Sequence, residues 1–508
     1  MHKVYDWIQT HAARRPERLA ILDYATGHRV SYGEMHERVA QAAGVLRDKG
    51  VGKGDRVAVL SLNSPTLFEI EFACARVGAI FCPLNIRLSA PELLFILNDL
   101  EPSLVLADTT FHEMAVPLAE EVSAPLMGIE GLGVDTEWST ACAAAMPVHD
   151  MVDLTHDDDW IIIYTSGTTG RPKGARLTHG MVFAHAVNVG AVTSLTPRSV
   201  NLCLLPFFHT SGLNVFANPT FHIGGANVVT RSVDPAQILD IIDDKDLGVS
   251  HFIGVPTIFQ FMAEKPAFET TDYSRLEGVM VGGAPAPEAL LRRCASVGLE
   301  VAQAYGMTES GPGVLVLDKE DAQQRIGSSG KPLMHVDVRL VRQDGTDAGQ
   351  DEVAEIWLQG PSITPGYWRR PEANKNDYSD GWFKTGDAAY RDADGFYYIV
   401  DRWKDMYISG GENVYPAEVE NVISNLDGVL QVAVIGVPDD KWGETGCACI
   451  VLRENATLGE DDIRNACAAN LARYKHPRDI VFLDTLPQNA TGKIQKRELR
   501  DQILRASA

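Results

Sequence analysis

Between Arg56 and Asp108, short apolar runs alternate with helical patterns. RVAVLSLN (56–63), AIFCPLN (79–85) and SLVLAD (103–108) have the length and residue types of strands. Helical patterns around Phe68 to Val77 and over Ala90 to Leu100 separate them. Strands and helices joined by short turns pack as layers, which predicts an α/β domain with mainly parallel sheets. Upstream, Ser31 and Glu34 have capping-box spacing, and Met35, Val39, Ala42, Ala43 and Leu46 follow at helical intervals until Gly50. All these residues read as structural. From Ser123 to Val152 the pattern weakens, and the chain is expected to wander over the surface.

At 508 residues the chain exceeds one ordinary core, so two or more domains are expected. A change of pattern marks the second. Pro416 opens a helix carrying Val419, Val422, Ile423 and Leu426; strands follow at 432–435 and 447–452, a helix around 462–471 and a strand at 480–483. These make a compact α+β unit of about one hundred residues. The expected division is a large N-terminal domain over 1–402 and a small mobile C-terminal domain over 403–508.

A net charge of −23 argues against nucleic acid, whose phosphates need a basic surface, and against a broad footprint on anionic membranes. The eight cysteines are scattered through apolar runs without CxxC pairing, as buried thiols in a reducing compartment are. The N-terminus lacks an apolar core of signal-peptide length, and no run reaches the roughly 20 apolar residues of a membrane span. The expected location is the cytoplasm, with no transmembrane segment.

Chemistry concentrates in a few strings. Ile161 to Ile163 read as a buried strand running into YTSGTTGRPKG, Tyr164 to Gly174. Thr165, Ser166, Gly167, Thr168 and Thr169 offer hydroxyls and close backbone N–H groups to a phosphate, with Lys173 as a positive charge at the rim. The order is not that of GxxxxGK[ST], because Gly174 follows the lysine. Read alone, such a loop is ordinary surface punctuation. His209 lies in LPFFHTSGLNVF, where a lone histidine is usually a satisfied core residue. Gly283, Ala284 and Pro285 form a tight strand-to-helix turn whose small residues admit a flat ligand. In VAQAYGMTESGPG, Tyr305 presents a π face to a purine, Thr308 a hydroxyl, and Glu309 a hard oxygen suited to Mg²⁺. Asp387, ending WFKTGD just beyond a strand, can accept two vicinal hydroxyls, though turn aspartates beside glycine are common. Lys493 stands in a Gly-Lys turn near the end.

In this order, the strings resemble the adenylate-forming (AMP-binding) superfamily, and within it bacterial fatty acyl-CoA and feruloyl-CoA synthetases. The resemblance spans nearly the whole chain. It implies an AMP- and pyrophosphate-forming acyl-CoA synthetase that joins a carboxylic acid to CoA through an acyl-adenylate, using ATP and Mg²⁺. By resemblance, the loop from Thr165 to Lys173 binds phosphate. Gly283, Ala284 and Pro285 border adenine and acyl group, and Tyr305 stacks on adenine. Thr308 contacts phosphate, Glu309 holds magnesium, and Asp387 binds ribose with Arg402 as its partner. His209 contacts the acyl group or gates the thiol channel. Lys404 is the hinge, Gly410 and Gly411 line the thiol channel, and Trp442 either stacks on the CoA adenine or packs internally. Lys493 is the catalytic lysine.

The acyl pocket is expected from Phe208, His209, Val255, Gly283, Gly306, Gly311 and Val314. Its glycines imply room, and no Lys or Arg stands among them. A bulky hydrophobic acid is therefore expected, a fatty acid or a hydroxycinnamate such as ferulate. Three other readings stay open: loading of a carrier-protein pantetheine, a luciferase-like oxygenase, and a nucleotide-binding regulatory protein without turnover. No carrier domain with an attachment serine follows Ala508, which favours free CoA. A homodimer is compatible with the sequence.

Overall fold

A computed structural model describes residues 2–129, 137–165, 172–284, 286–402, 405–409, 412–439, 442–488 and 494–506. The alternating region forms a six-stranded sheet. Its order is Leu126–Ile129, Leu104–Asp108, Arg56–Leu60, Ile80–Pro83, Asp159–Thr165 and Lys173–Thr178. The first five strands are parallel and the last is antiparallel. Val57 stands opposite both Phe81 and Leu104, so apolar residues continue across the central strands. Helices Pro65–Val77, Ala90–Leu100 and His112–Glu121 are the crossovers that parallel strands require.

Helix Pro65–Val77 is buried on every side. Its sequence is apolar nearly all round, and its buried polar side chains find partners for some of their atoms, though Glu71 Oε2 has none among the described residues. Arg76 pairs with Asp6 at 2.7 Å, and Glu71 accepts a hydrogen bond from Asn218 Nδ2 at 2.8 Å. The Phe68 ring lies 4.5 Å from that of Phe207 and 4.8 Å from that of Phe221, packing this helix on the residues around the second sheet.

That sheet has nine strands, and its six central strands are parallel: Ala302–Tyr305, Gly278–Val281, His251–Gly254, Val200–Cys203, Ala226–Val229 and Leu19–Asp23. The N-terminal strand Leu19–Asp23 thus closes on Ala226–Val229, some two hundred residues away, with Ile21 opposite Asn227. Beyond it, an antiparallel sheet joins Asp337–Val341, Ala354–Gln359, Trp382–Arg391, Tyr378–Ser379 and Tyr397–Arg402.

The small C-terminal domain is built on two long antiparallel strands, Val429–Asp439 and Gly443–Leu452, with Asp479–Phe482 parallel to the second. Helices Pro416–Ser424 and Glu460–Asn470 cover one face, where Val419, Ile423, Val434, Ile450, Ile463 and Cys467 form a core. Helix Lys496–Ala506 places Leu499 on a second cluster with Ile435 and Cys449.

Two expectations are corrected, those for residues 123–152 and for Asp387. Residues 123–152 do not simply wander: Leu126–Ile129 is the edge strand of the six-stranded sheet, and helix Glu137–Ala144 anchors on the buried Trp138. Four residues and one tryptophan are too short a pattern to show in sequence. The phosphate-type loop joins a hairpin, because Lys173–Thr178 returns antiparallel on Asp159–Thr165 before helix His179–Val192 begins. Asp387 lies inside strand Trp382–Arg391, not beyond it. All eight cysteines are free, and all but the half-buried Cys142 are buried. Among the described residues no helix is long and apolar enough to cross a membrane.

Candidate active site

A cleft of about 3340 Å³ gathers residues from both large sheets, the antiparallel sheet and the small domain. Thr165, Lys173, His209, Val255, Gly283, Ala284, Tyr305, Gly306, Thr308, Glu309 and Asp387 all line it. They come from strand ends and connections, where an open α/β sheet presents its ligands. Ser166, Gly167, Thr168, Thr169, Pro285, Lys404, Gly410, Gly411 and Lys493 lie outside the described residues, as does the side chain of Arg402.

Tyr305 ends strand Ala302–Tyr305, and its Oη donates to Asp387 Oδ2 at 2.7 Å. The strand carrying Asp387 shifts register between Ala388 and Lys384, and Gly386 takes φ of +71° there. Thr385 Oγ1 holds the kink by accepting from the Asp387 N–H at 3.0 Å while donating to the Ile356 carbonyl at 2.7 Å. A bulge of this kind re-aims a side chain within a strand. It turns the Asp387 carboxylate onto Tyr305.

Glu309 sits in the short turn Thr308–Ser310 and is 6% exposed. Tyr367 Oη donates to its Oε1 at 2.7 Å, and the Thr364 N–H donates to its backbone carbonyl at 2.8 Å. Burial, and then the Glu309 carboxylate, push the Tyr367 phenol far above its ordinary range, so it stays a donor. Lys173 Nζ lies 4.8 Å from the Tyr367 ring centroid and 3.5 Å from Asp377 Oδ2. An ammonium over an aromatic face is attracted to it. Carboxylate, phenol and ammonium thus converge where the hairpin strands end. Sequence reasoning missed Tyr367, Thr364 and Asp377. Tyr367 lies 58 residues from Glu309, in no string that marks chemistry.

On the apolar side, His209 caps the short helix Thr210–Asn214. Its ring lies 4.6 Å from that of Phe208. Burial, helped by the Arg87 charge, pushes its basicity down to about 4, so the ring is neutral at neutral pH. Its Nε2 is buried with no hydrogen-bond partner among the described residues. Leu205, Val215, Ile253, Val255, Met280 and Val281 continue this wall. Gly283 has φ of +80°, and an added Cβ would meet only Val255 Cγ1, at 3.6 Å. Arg87, which is exposed, and Arg293, which pairs with Glu269, also line the cleft.

Part of the expected acyl wall stands elsewhere. Val314 is fully buried in the core, and Phe208 is buried beneath the rim; neither is among the described lining residues. Gly311 is also off the lining, with the Ser362 carbonyl 3.0 Å from where its Cβ would be. Gly306 does line the cleft, yet its missing side chain makes no room for a ligand. An added Cβ would fall 1.6 Å from the Pro312 carbonyl, so the glycine admits backbone.

From the small domain, Gln488 and Ile494 form an antiparallel bridge and both line the cleft. Lys496 pairs with Glu420 at 2.8 Å on the same side. Trp442 is half exposed rather than packed in the interior, and its backbone N–H donates to Asp439 Oδ1 at 2.8 Å.

This arrangement has close counterparts. A family model described as AMP-binding enzyme matches residues 8–368, and one described as AMP-binding enzyme C-terminal domain matches residues 418–493. The chain belongs to the AMP-binding enzyme family. A feruloyl-CoA synthase of an Amycolatopsis species is 40% identical, with 97% of this chain and 98% of the relative covered. The long-chain-fatty-acid–CoA ligase FadD13 of Mycobacterium tuberculosis is 36% identical, with 97% of each covered. Crystal structures of MatB from Rhodopseudomonas palustris, 32% identical, superpose with a TM-score of 0.91 in the ATP-bound form, over 98% of each chain. The apo form gives 0.82, over 98% of this chain and 99% of MatB. As a family member with such relatives, the chain is an ATP-dependent carboxylate–CoA ligase that works through an acyl-adenylate.

Proposed function

We propose that the chain activates a bulky hydrophobic acid, with hydroxycinnamates such as ferulate as the first candidates and fatty acids as the second. The observation that carries this is the apolar wall from Leu205 to Val281 ending at a neutral His209. A neutral imidazole in such a wall packs on an acyl or aryl body and offers no charge to a second carboxylate. The 40% identity to a feruloyl-CoA synthase, against 36% to a fatty acid ligase, supports the order of candidates.

The reaction has two halves in one cleft. First, the substrate carboxylate oxygen attacks the α-phosphorus of ATP, and the bond to pyrophosphate breaks. A carboxylate is a poor nucleophile, so the rate rests on positioning and on neutralising phosphate charge. We assign the purine to the face of Tyr305, the ribose to Asp387 with Arg402, and the phosphates to Thr308, Lys173 and the loop residues Thr165, Ser166, Gly167, Thr168 and Thr169. Gly283, Ala284 and Pro285 border adenine and acyl group. Glu309 fits Mg²⁺: it is one buried hard-oxygen ligand beside the phosphate site, and a magnesium ion there would complete its shell with phosphate oxygens and water. Such an ion would withdraw charge from the phosphates when bound.

Second, the CoA thiol attacks the acyl carbon of the mixed anhydride, and AMP leaves with the C–O electron pair. We place the domain boundary after Arg402, with Lys404 as hinge, Lys493 as the cation delivered to the α-phosphate, and Gly410, Gly411 and Trp442 on the CoA path. Lining of the cleft by Gln488 and Ile494, on either side of Lys493 in sequence, supports this delivery. The higher similarity to ATP-bound than to apo MatB also supports this delivery, and we read the arrangement as one for acid activation. Rotation about the hinge would exchange Lys493 for the thiol path and keep water from the adenylate.

The test is AMP and acyl-CoA formation from ATP, Mg²⁺ and CoA across acetate, malonate, octanoate, palmitate, benzoate, 4-coumarate and ferulate. Ferulate or 4-coumarate should give the highest kcat/KM. Preference for acetate or malonate would overturn the pocket. Lys493→Ala should slow acid-dependent pyrophosphate exchange by about 10²–10³, the effect of losing one preorganised transition-state donor.

A further inference from the structure

Helix Pro256–Ala263 serves two surfaces at once. At its start, Val255, Pro256 and Thr257 line the cleft on the acyl side, while Ile258, Phe259 and Met262 bury into the large domain. One turn apart at its other end, Gln260 and Glu264 reach the small domain. Gln260 Nε2 donates to the Leu430 carbonyl at 2.8 Å. Arg453 Nη1 meets Glu264 Oε1 at 2.7 Å. Both partners occupy one corner of the small domain's sheet: Val429 pairs with Leu452, and the Arg453 N–H donates to the Gly428 carbonyl at 2.8 Å. That corner is stiffened by its own ladder, so two contacts one helical turn apart fix both position and rotation.

We propose that Gln260 and Glu264 are positioning residues that hold the small domain in the acid-activating arrangement, through Leu430 and Arg453. The inference rests on the reading that this arrangement belongs to the first half-reaction. It goes beyond that reading by naming what selects the arrangement.

Glu264 and Arg453 are 43% and 40% exposed, so the pair biases an equilibrium rather than supporting the fold. The experiment reverses each charge. Glu264→Arg and Arg453→Glu should each slow acid-dependent pyrophosphate exchange by about threefold to tenfold, as an exposed pair turned into a repulsive one does. Thioester formation from preformed acyl-adenylate and CoA should be unchanged or faster, and the melting temperature unchanged. The double variant restores the pair with exchanged partners and should recover exchange to within about twofold. Gln260→Leu, which leaves the charges intact, should show the same split between half-reactions. Equal slowing of both half-reactions, no slowing, or a double variant no better than the singles would overturn the proposal. Lys493→Ala separates the two readings. If it exchanges at the wild-type rate, the half-reaction reading falls and takes the strut with it. If it loses exchange while the charge reversals do not, only the strut falls.

Discussion

The most exacting residue contact in the cleft is that between Tyr367 and Glu309. A buried carboxylate has few ways to be held still, and one oxygen here takes a hydrogen bond of 2.7 Å from a phenol that burial keeps protonated. Hydrogen bonds to charged groups contribute about 1.5–3 kcal/mol, and leaving a buried charge unpaired costs at least as much. Tyr367→Phe keeps the ring beneath Lys173 and removes only the donor. The expected outcome is a fall of about tenfold or more in the rate of pyrophosphate exchange at saturating acid, with the KM for the acid unchanged. Exchange kinetics with ATP, Mg²⁺ and acid varied in turn would check it. A second contact at this scale is Gly306. Overpacking a rigid site costs about 1–3 kcal/mol or more, and Gly306→Ala must displace the Pro312 carbonyl. That variant should melt several degrees lower than wild type in a calorimetric scan.

At the scale of elements, the site is a set of strand ends whose registers must agree. The hairpin Asp159–Thr165 with Lys173–Thr178 is clamped beside its connecting loop. Tyr164 Oη donates to Asp99 Oδ2 at 2.8 Å, and Asp99 also takes Arg370 at 2.6 Å. Asp99 lies at the end of helix Ala90–Leu100, so one carboxylate ties the hairpin to a crossover helix and to the segment carrying Tyr367. Tyr164→Phe should therefore raise the KM for ATP about threefold to tenfold while leaving that for the acid near wild type. An equal rise in both constants would mean that the clamp supports the whole cleft rather than the hairpin. The same elements show what a sequence reveals. The alternation from Arg56 to Asp108 was legible because each strand and helix carries its own period. The strings around Thr165, Tyr305 and Asp387 were legible because their residue types are unusual together. The bulge at Thr385–Gly386 was not, since a glycine before an aspartate looks like a turn wherever it falls. Nor were Tyr367, the Asp99 clamp or the use of Gly306, because each depends on a partner chosen by tertiary packing rather than by neighbours in the chain.

The whole molecule carries buried ionisable groups of opposite sense, and together they set its response to pH. His179 and His185 are buried, and burial pushes their basicity down to about 3 and about 4. In the unfolded chain such rings take protons below about 6.5. As pH falls through that value the unfolded state binds more protons than the folded one, and each ring costs stability, about 2 kcal/mol by pH 5. Glu71 acts the other way. Burial raises its carboxyl to about 8, offset in part by the hydrogen bond from Asn218. The folded state then binds the extra proton between the ordinary carboxyl range and pH 8. Stability is therefore lost as pH rises through that window, on the order of 3 kcal/mol by pH 7. His209, also down to about 4, adds a third such ring, so the histidine losses exceed the Glu71 effect and wild type should lose stability as pH falls from 8 to 5. Glu71→Gln removes one side of the balance and keeps an acceptor for Asn218 Nδ2. The variant should be more stable than wild type at pH 8 by a few kcal/mol, with the gap closing towards pH 5, so that its own stability falls more steeply with acid. Denaturant midpoints at pH 5, 6.5 and 8 would read this directly. A gap independent of pH would mean that Glu71 is already ionised in the fold, and that a charge stands in the core where Asn218 alone must hold it.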